Sequence, residues 1–246
     1  MVLKEAYEAG VRSIVSLSMN LVSCQKSVEI KNATCQPKIY IGMGIHPAEA
    51  SLSQLEDVVS LIKQRRHELS VIGEIGLDFW YKWARKDDEK RNEQRTVFRR
   101  LLKLAHELNL PAVIHSRGAW RECLETALEM EVKKAEFHWY SGPLDVLDDI
   151  LRAGYYVSTS PSVAYSLQSR EAMLRAPVER TLIETDCPVY YKNSETGEAF
   201  QATPKDVFRT LEAYSRLKNL REEEALTILN KNAEDFFGIG RQKEGA

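Results

Sequence analysis

Residues 69–76 read LSVIGEIG, apolar at nearly every position and carrying one glutamate, Glu74, near the C-terminal end. A strand wet on one face would alternate apolar and polar residues; a near-continuous apolar run is what a parallel strand covered on both faces requires. The same pattern recurs along the chain, in VRSIVSLS from Val11, KIYIGMGIH from Lys38, PAVIHS from Pro111, AEFHW from Ala135, YYVSTS from Tyr155 and TLIETD from Thr181. Longer stretches of helical spacing separate these runs. Val97, Leu101, Leu104 and Leu108 share one face of residues 87–109. Ser53, with Glu56 three residues on, reads as a capping box before an apolar-periodic stretch. Gly154 reads as a helix stop, and Thr203-Pro204 as the N-cap and first position leading into two helices over 204–218 and 221–237. Strand and helix in alternation define the α/β class and a TIM (β/α)8-type barrel. Seven strands are evident where such a barrel has eight, and the first element is a helix over residues 2–9, stopped by Gly10. No Gly/Ser-rich linker divides the 246 residues, so 1–246 reads as a single domain. Residues 187–202 read as an irregular loop lying over the barrel mouth.

Composition bounds the function. Hydrophobic residues at 43% and charged residues at 28% are the balance of an ordinary globular protein, with material for one large core. The formal net charge of -2 provides no general basic field, so a polyanionic substrate would have to be held locally by a metal or a few placed cations. Cys24, Cys35, Cys123 and Cys187 form no CxxC pair, which fits reduced thiols in a cytoplasmic protein. No apolar run approaches the ~20 residues of a membrane span, and the first ten residues do not read as a signal peptide.

Ionisable residues fall at the C-terminal ends of the strand runs: His46 after the second, Glu74 in the third, His115 in the fourth, His138 in the fifth and Asp186 after the last. In a parallel barrel all these ends lie on one face, where sites are built. Two histidines and two carboxylates (His115, His138, Glu74, Asp186) are nitrogen and oxygen donors suited to a divalent ion such as Mg, Mn or Zn. Each residue alone has a plainer reading: a hydrogen-bonded histidine, a helix-capping glutamate, a turn aspartate ahead of Pro188. Their joint placement on one face is what favours the metal. His67 and His106 lie in helical stretches among charged residues and read as solvated. The segment KWARKDDEKRNEQR from Lys82 reads as a solvated helix start, with a phosphate-holding cationic rim as the alternative. Trp80, Tyr81 and Trp83 either stack on bases or cover the barrel top.

Five strings, GIHPAEA from Gly44, GEIGLDF from Gly73, IHSRGAW from Ile114, FHWYSG from Phe137 and ETDCP from Glu184, resemble in order and spacing the TatD-type metal-dependent deoxyribonucleases. The resemblance runs from about Val11 to Phe237. It implies a hydrolase of the amidohydrolase type that cleaves phosphodiester bonds, with DNA as the substrate class, including 3'-5' exonuclease action on single strands, and one or two divalent metals. It implies that Glu74 bridges two metals, that His115 and His138 ligate one of them, and that Asp186 ligates the other and helps to activate water. It places His46 as a catalytic or substrate contact and Arg117 against a phosphate oxygen, a pairing that guanidinium geometry suits.

One departure stands out. The family's first strand ends in a His-x-His pair, and no such pair occurs here. The missing pair and the missing strand coincide. Either the chain is a shortened version of a longer one, or it forms an open seven-stranded barrel whose edge strands, VRSIVSLS and TLIETD, need cover from a dimer partner or the N-terminal helix. The expectation is one well-held metal at most and reduced hydrolysis. The competing reading is a catalytically impaired barrel acting as a binding or scaffold protein. A third is an amidohydrolase acting on small-molecule C–N bonds, although Glu74 stands where many of those enzymes place a modified lysine.

Overall fold

The computed structural model describes residues 1–193 and 196–240. All seven apolar runs form strands: β1 (Ser13–Leu17), β2 (Lys38–Met43), β3 (Leu69–Gly76), β4 (Ala112–His115), β5 (Ala135–Phe137), β6 (Tyr156–Thr159) and β7 (Thr181–Ile183). They pair in parallel and in sequence order, as right-handed βα units demand. The sheet curls into a seven-stranded half-barrel; β1 and β7 are its edges and make no ladder with each other among the described residues. The edge position shows in the solvation of β1. Its residues are half-buried or exposed, whereas every residue of β5 is buried.

Nine helices are described: α1 (Val2–Glu8), α2 (Leu21–Ala33), α3 (Leu52–Arg65), α4 (Asp88–Leu108), α5 (Trp120–Glu129), α6 (Leu144–Arg152), α7 (Leu167–Arg175), α8 (Val207–Lys218) and α9 (Glu222–Phe237). Most pack apolar stripes on the outside of the sheet; α4, for example, buries Val97, Phe98, Leu101, Leu104 and Ala105. The start of α3 differs from the sequence reading. Ser51, not Ser53, is the N-cap, and its side chain accepts the Ser53 N–H. Leu52, the first residue of α3, keeps the apolar spacing of Leu55, Val58 and Ile62, and it is the Ser53–Glu56 pattern that sets the start two residues late. Residues 187–202 also differ, since they include an antiparallel pair, β8 (Tyr190–Lys192) and β9 (Ala199–Gln201).

Inside the curl, Val71, Val113, Leu182 and Phe236 form a second core with Val15, Leu17 and Tyr156 against it. Phe236 comes from α9, which closes the end where the strands begin: its ring lies 5.2 Å from that of Tyr156, the first residue of β6. Asn232 of the same helix donates to the carbonyls of Val178 and Thr181. On the open side, α1 is tied to the segment that leads into α8. Lys205 pairs with Glu5 at 3.1 Å, and Phe208 packs on Gly10, whose φ of +114° excludes a side chain there.

Candidate metal centre

The site lies at the opposite end, where the strands finish. Its centre is Glu74, two residues before β3 stops at Gly76. Gly76 is required by close approach as well as by its φ of +150°: a Cβ there would lie 1.9 Å from the His115 carbonyl oxygen. That contact lets β3 and β4 run side by side to their ends and sets Glu74 beside His115, the last residue of β4.

Three imidazoles converge on one carboxylate oxygen. His115 Nδ1 lies 3.0 Å, His138 Nε2 3.1 Å and His46 Nε2 3.5 Å from Glu74 Oε1. The far nitrogens decide what each ring offers. His115 Nε2 donates to Asp78 Oδ2 at 2.8 Å, and His138 Nδ1 donates to both oxygens of Glu184 at 3.0 and 3.1 Å. In the neutral form each of these rings therefore turns a lone pair toward Glu74, where it would face a second acceptor. Such a convergence needs a cation or extra protons between the groups. A carboxylate behind a histidine is also how metal-ligating imidazoles are oriented and made more basic.

His46 is different. Its Nδ1 accepts the Ala48 N–H at 3.0 Å, so its Nε2 carries the proton. Burial, with the charges of His115 and His138 adding and Glu74 opposing, pulls its pKa down to about 4. At neutral pH His46 is thus an uncharged ring whose Nε2–H faces His115 Nδ1 at 3.3 Å and Glu74 Oε1 at 3.5 Å.

The charges follow the same division. Burial opposes the charged form of His115 and of His138, yet their bonds and proximity to Asp78, Glu184 and Glu74 outweigh it and push both rings up, His138 the further. Burial also disfavours the Glu74 carboxylate, but the three histidines hold it well below the usual range. Asp186 lies three residues beyond β7, with φ at +43°, a conformation that aspartate tolerates better than most residues. Burial, with Glu184 and Glu74 adding and His138 opposing, pushes it up to about 6.

The donor atoms of His46, Glu74 and His115 approach within 4.8 Å of one another, and so do those of Glu74, His138 and Asp186. Every sequence-selected ligand is therefore brought to one place, with Glu74 common to both groups. The grouping itself differs from the expected one, because His115 falls with His46 while His138 falls with Asp186. Nitrogen and oxygen donors, each imidazole held from behind, fit a divalent ion, and Glu74, His115, His138 and Asp186 are the residues whose lone pairs are available to it.

Two residues with evident roles escaped the sequence reading. Asp78 has a fully buried side chain; it holds His115, accepts from Arg117 Nε and Nη2 at 2.8 Å, and caps the Trp80 N–H. Gln94 on α4 fixes it in turn, accepting the Asp78 N–H and donating to its carbonyl. Glu184 holds His138 and accepts from Ser158 Oγ and the Trp139 N–H. Beneath it, burial first and the charge of Glu184 second push Glu136 up to about 8, so that Glu184 alone carries the negative charge at neutral pH. Both residues stand within the strings GEIGLDF and ETDCP, and their position beside the ligands was the available signal.

Arg117 lies at the rim. Its Nε and Nη2 are committed to Asp78, its guanidinium rests 4.9 Å over the Tyr81 ring, and its side chain is 43% exposed. Trp83 stacks on Tyr81 at 5.3 Å, and Trp80 meets Trp120 edge-on at 5.8 Å. These aromatics do cover part of the barrel top, and Trp80 and Trp83 keep exposed surface there. His67 and His106 lie on the surface far from this cluster, in keeping with a solvated reading.

A half-barrel of parallel βα units with a histidine–carboxylate cluster at its C-terminal end is the architecture of a metal-dependent hydrolase of the TIM-barrel class. A profile of the TatD related DNase family matches residues 1–238, and the chain belongs to that family. It is 30% identical over 226 residues to an uncharacterized metal-dependent hydrolase of Methanocaldococcus jannaschii, covering 91% of this chain and 84% of that one. It is 27% identical over 248 residues to the deoxyribonuclease TATDN3 of Homo sapiens, covering 96% and 87%. Among solved structures, a TatD homologue of Escherichia coli superposes with a TM-score of 0.86 at 22% identity, covering 97% of this chain and 91% of that one. A TatD family hydrolase of Entamoeba histolytica superposes with a TM-score of 0.81 at 22% identity, covering 96% and 87%. No helix among the described residues is long and apolar enough to cross a membrane.

Proposed function

We propose that the protein is a deoxyribonuclease, hydrolysing phosphodiester bonds of DNA with a divalent ion held by Glu74, His115, His138 and Asp186. The observation that carries this reading is the pair of imidazoles, each pinned from behind by a carboxylate, both directed at one oxygen of Glu74. The human relative named as a deoxyribonuclease supports the substrate class. The ion would supply Lewis-acid activation of water and charge neutralisation at the phosphoryl group.

This chain's own groups do the rest. Asp186, whose pKa is pushed up to about 6 by burial, accepts the proton of the attacking water. His46 offers its Nε2 proton to a phosphoryl or leaving oxygen, since Ala48 fixes the tautomer that places a donor there. Arg117 is anchored through Nε and Nη2 by Asp78, and its exposed part meets a phosphate oxygen of the incoming strand. Exposed faces of Trp80 and Trp83 lie where an unpaired base would stack, which favours single-stranded ends as substrate.

The test compares the wild type with Glu74→Ala on single-stranded DNA labelled at either end, with Mg, Mn or Zn added. Metal-dependent shortening from the 3' end, lost in the variant, is the expected result. A wild type that holds metal yet cleaves no phosphodiester would overturn the reading in favour of a binding protein.

A further inference from the structure

A cavity of about 580 Å³ lies not at the metal centre but at the other end of the barrel, where β2 and β3 begin. Four lysines surround it: Lys31 from α2, Lys38 at the start of β2, and Lys133 and Lys134 just ahead of β5. Among the described residues, Lys31 is the one of the four with a carboxylate within 4 Å. Lys31, Lys133 and Lys134 donate to uncharged oxygens (the Glu68 carbonyl, Asn109 Oδ1 and the Asp235 carbonyl), while Lys38 rests 4.9 Å over the Tyr40 ring. Glu68 pairs with Arg65 at 2.9 Å and meets Lys31 only at 3.9 Å. Elsewhere many cations are paired with carboxylates, among them Arg95, Arg99, Arg121 and Arg175, in a chain whose net charge is -2.

The walls are of a different kind. Leu69, Leu110, Phe236 and the half-buried rings of Tyr40 and Phe237 give the cavity apolar and planar sides. Its volume is that of a pocket for one small organic molecule. Ammonium groups and flat apolar walls in one cavity together select a ligand with an anionic end and a planar body.

We propose that this cavity is a binding site for a nucleoside phosphate, with the phosphoryl groups among Lys31, Lys38, Lys133 and Lys134 and the base against Tyr40 and Phe237. The site is separate from the hydrolytic centre. In barrels of this type the end where strands begin is remote from the chemistry, and here the inner core of Val71, Val113 and Leu182 lies between the two ends. The proposal stands whether or not DNA is the substrate at the other end.

Isothermal titration of the metal-loaded protein with adenosine diphosphate, adenosine and inorganic pyrophosphate tests it. Adenosine diphosphate should bind at one site per chain, more tightly than either fragment, and more weakly as salt rises from about 50 to about 200 mM. The double variant Lys38→Ala/Lys133→Ala, both surface lysines, should weaken binding at least about tenfold and leave phosphodiester hydrolysis unchanged, whereas Glu74→Ala should keep the nucleotide site. Absence of saturable binding would overturn the proposal. So would binding lost in Glu74→Ala but kept in the lysine variant, which would place it at the metal centre. Capture of a 5'-phosphorylated oligonucleotide without capture of adenosine diphosphate would overturn it in favour of a strand-binding surface.

Discussion

The middle of the sheet and its two edges are built from the same kind of sequence and behave differently. β3, β4 and β5 each have a neighbour on both sides and helices outside, and they deliver Glu74, His115 and His138 with their partners already in place. β1 delivers no ligand and is nowhere fully buried, and β7 is followed by Asp186 only after three further residues and a left-handed turn. A precise donor set grows from strands that are fixed on both sides; the edges contribute a single candidate ligand, on a loop. The two histidines held from behind by carboxylates belong to the middle, and the carboxylate proposed to take the water's proton belongs to an edge.

Substitutions can break this contrast in a graded way. The largest effect is expected for Glu74→Ala, which removes the oxygen shared by both donor groups: hydrolysis should fall by about 10³-fold or more, with bound metal, read by mass spectrometry, largely lost. Asp186→Asn should cost about 10² to 10³-fold in turnover, measured on a nitrophenyl phosphodiester, yet retain most of the metal because the middle strands still hold it. Equal metal loss in these two variants would abolish the distinction between middle and edge. Asp78→Asn and Glu184→Gln should each weaken metal affinity about 10 to 100-fold by releasing one imidazole, read in a chelator competition. Asp78→Asn should additionally raise KM, since Arg117 loses its anchor.

Packing gives the smallest and cleanest comparison. Ile114→Ala, at a fully buried site on β4, should cost about 2–5 kcal/mol in urea unfolding. Leu17→Ala on β1, which is only partly buried, should cost about 1–2 kcal/mol, because its side chain removes less apolar surface from water. Near-equal values would show that the edge is covered in solution by another chain.

The strands were legible because parallel strands covered on both faces must be apolar throughout, and no other element of comparable length looks the same. The ligands were legible because strand ends in one parallel sheet share one face. The cap of α3 was misplaced because two serines, Ser51 and Ser53, stand at its start, and only the fold shows that Ser51 accepts the Ser53 N–H. The strands β8 and β9 were hidden because three residues each, with mixed burial, leave no pattern to read. Asp78 and Glu184 were present in the quoted strings, but their roles depend on which nitrogen of which ring they reach.

The sequence by itself determined the βα order, the class of fold and the convergence of His46, Glu74, His115, His138 and Asp186. Those follow from period and topology, which are properties of the chain. Only the tertiary structure decided that Asp78 and Glu184 hold His115 and His138 from behind while the Ala48 N–H leaves the His46 proton on Nε2. It also decided that around Glu74 His115 falls with His46 and His138 with Asp186. A histidine's chemistry is set by the partner of its far nitrogen, and those partners, Asp78, Glu184 and the Ala48 N–H, meet the rings only when the chain has folded.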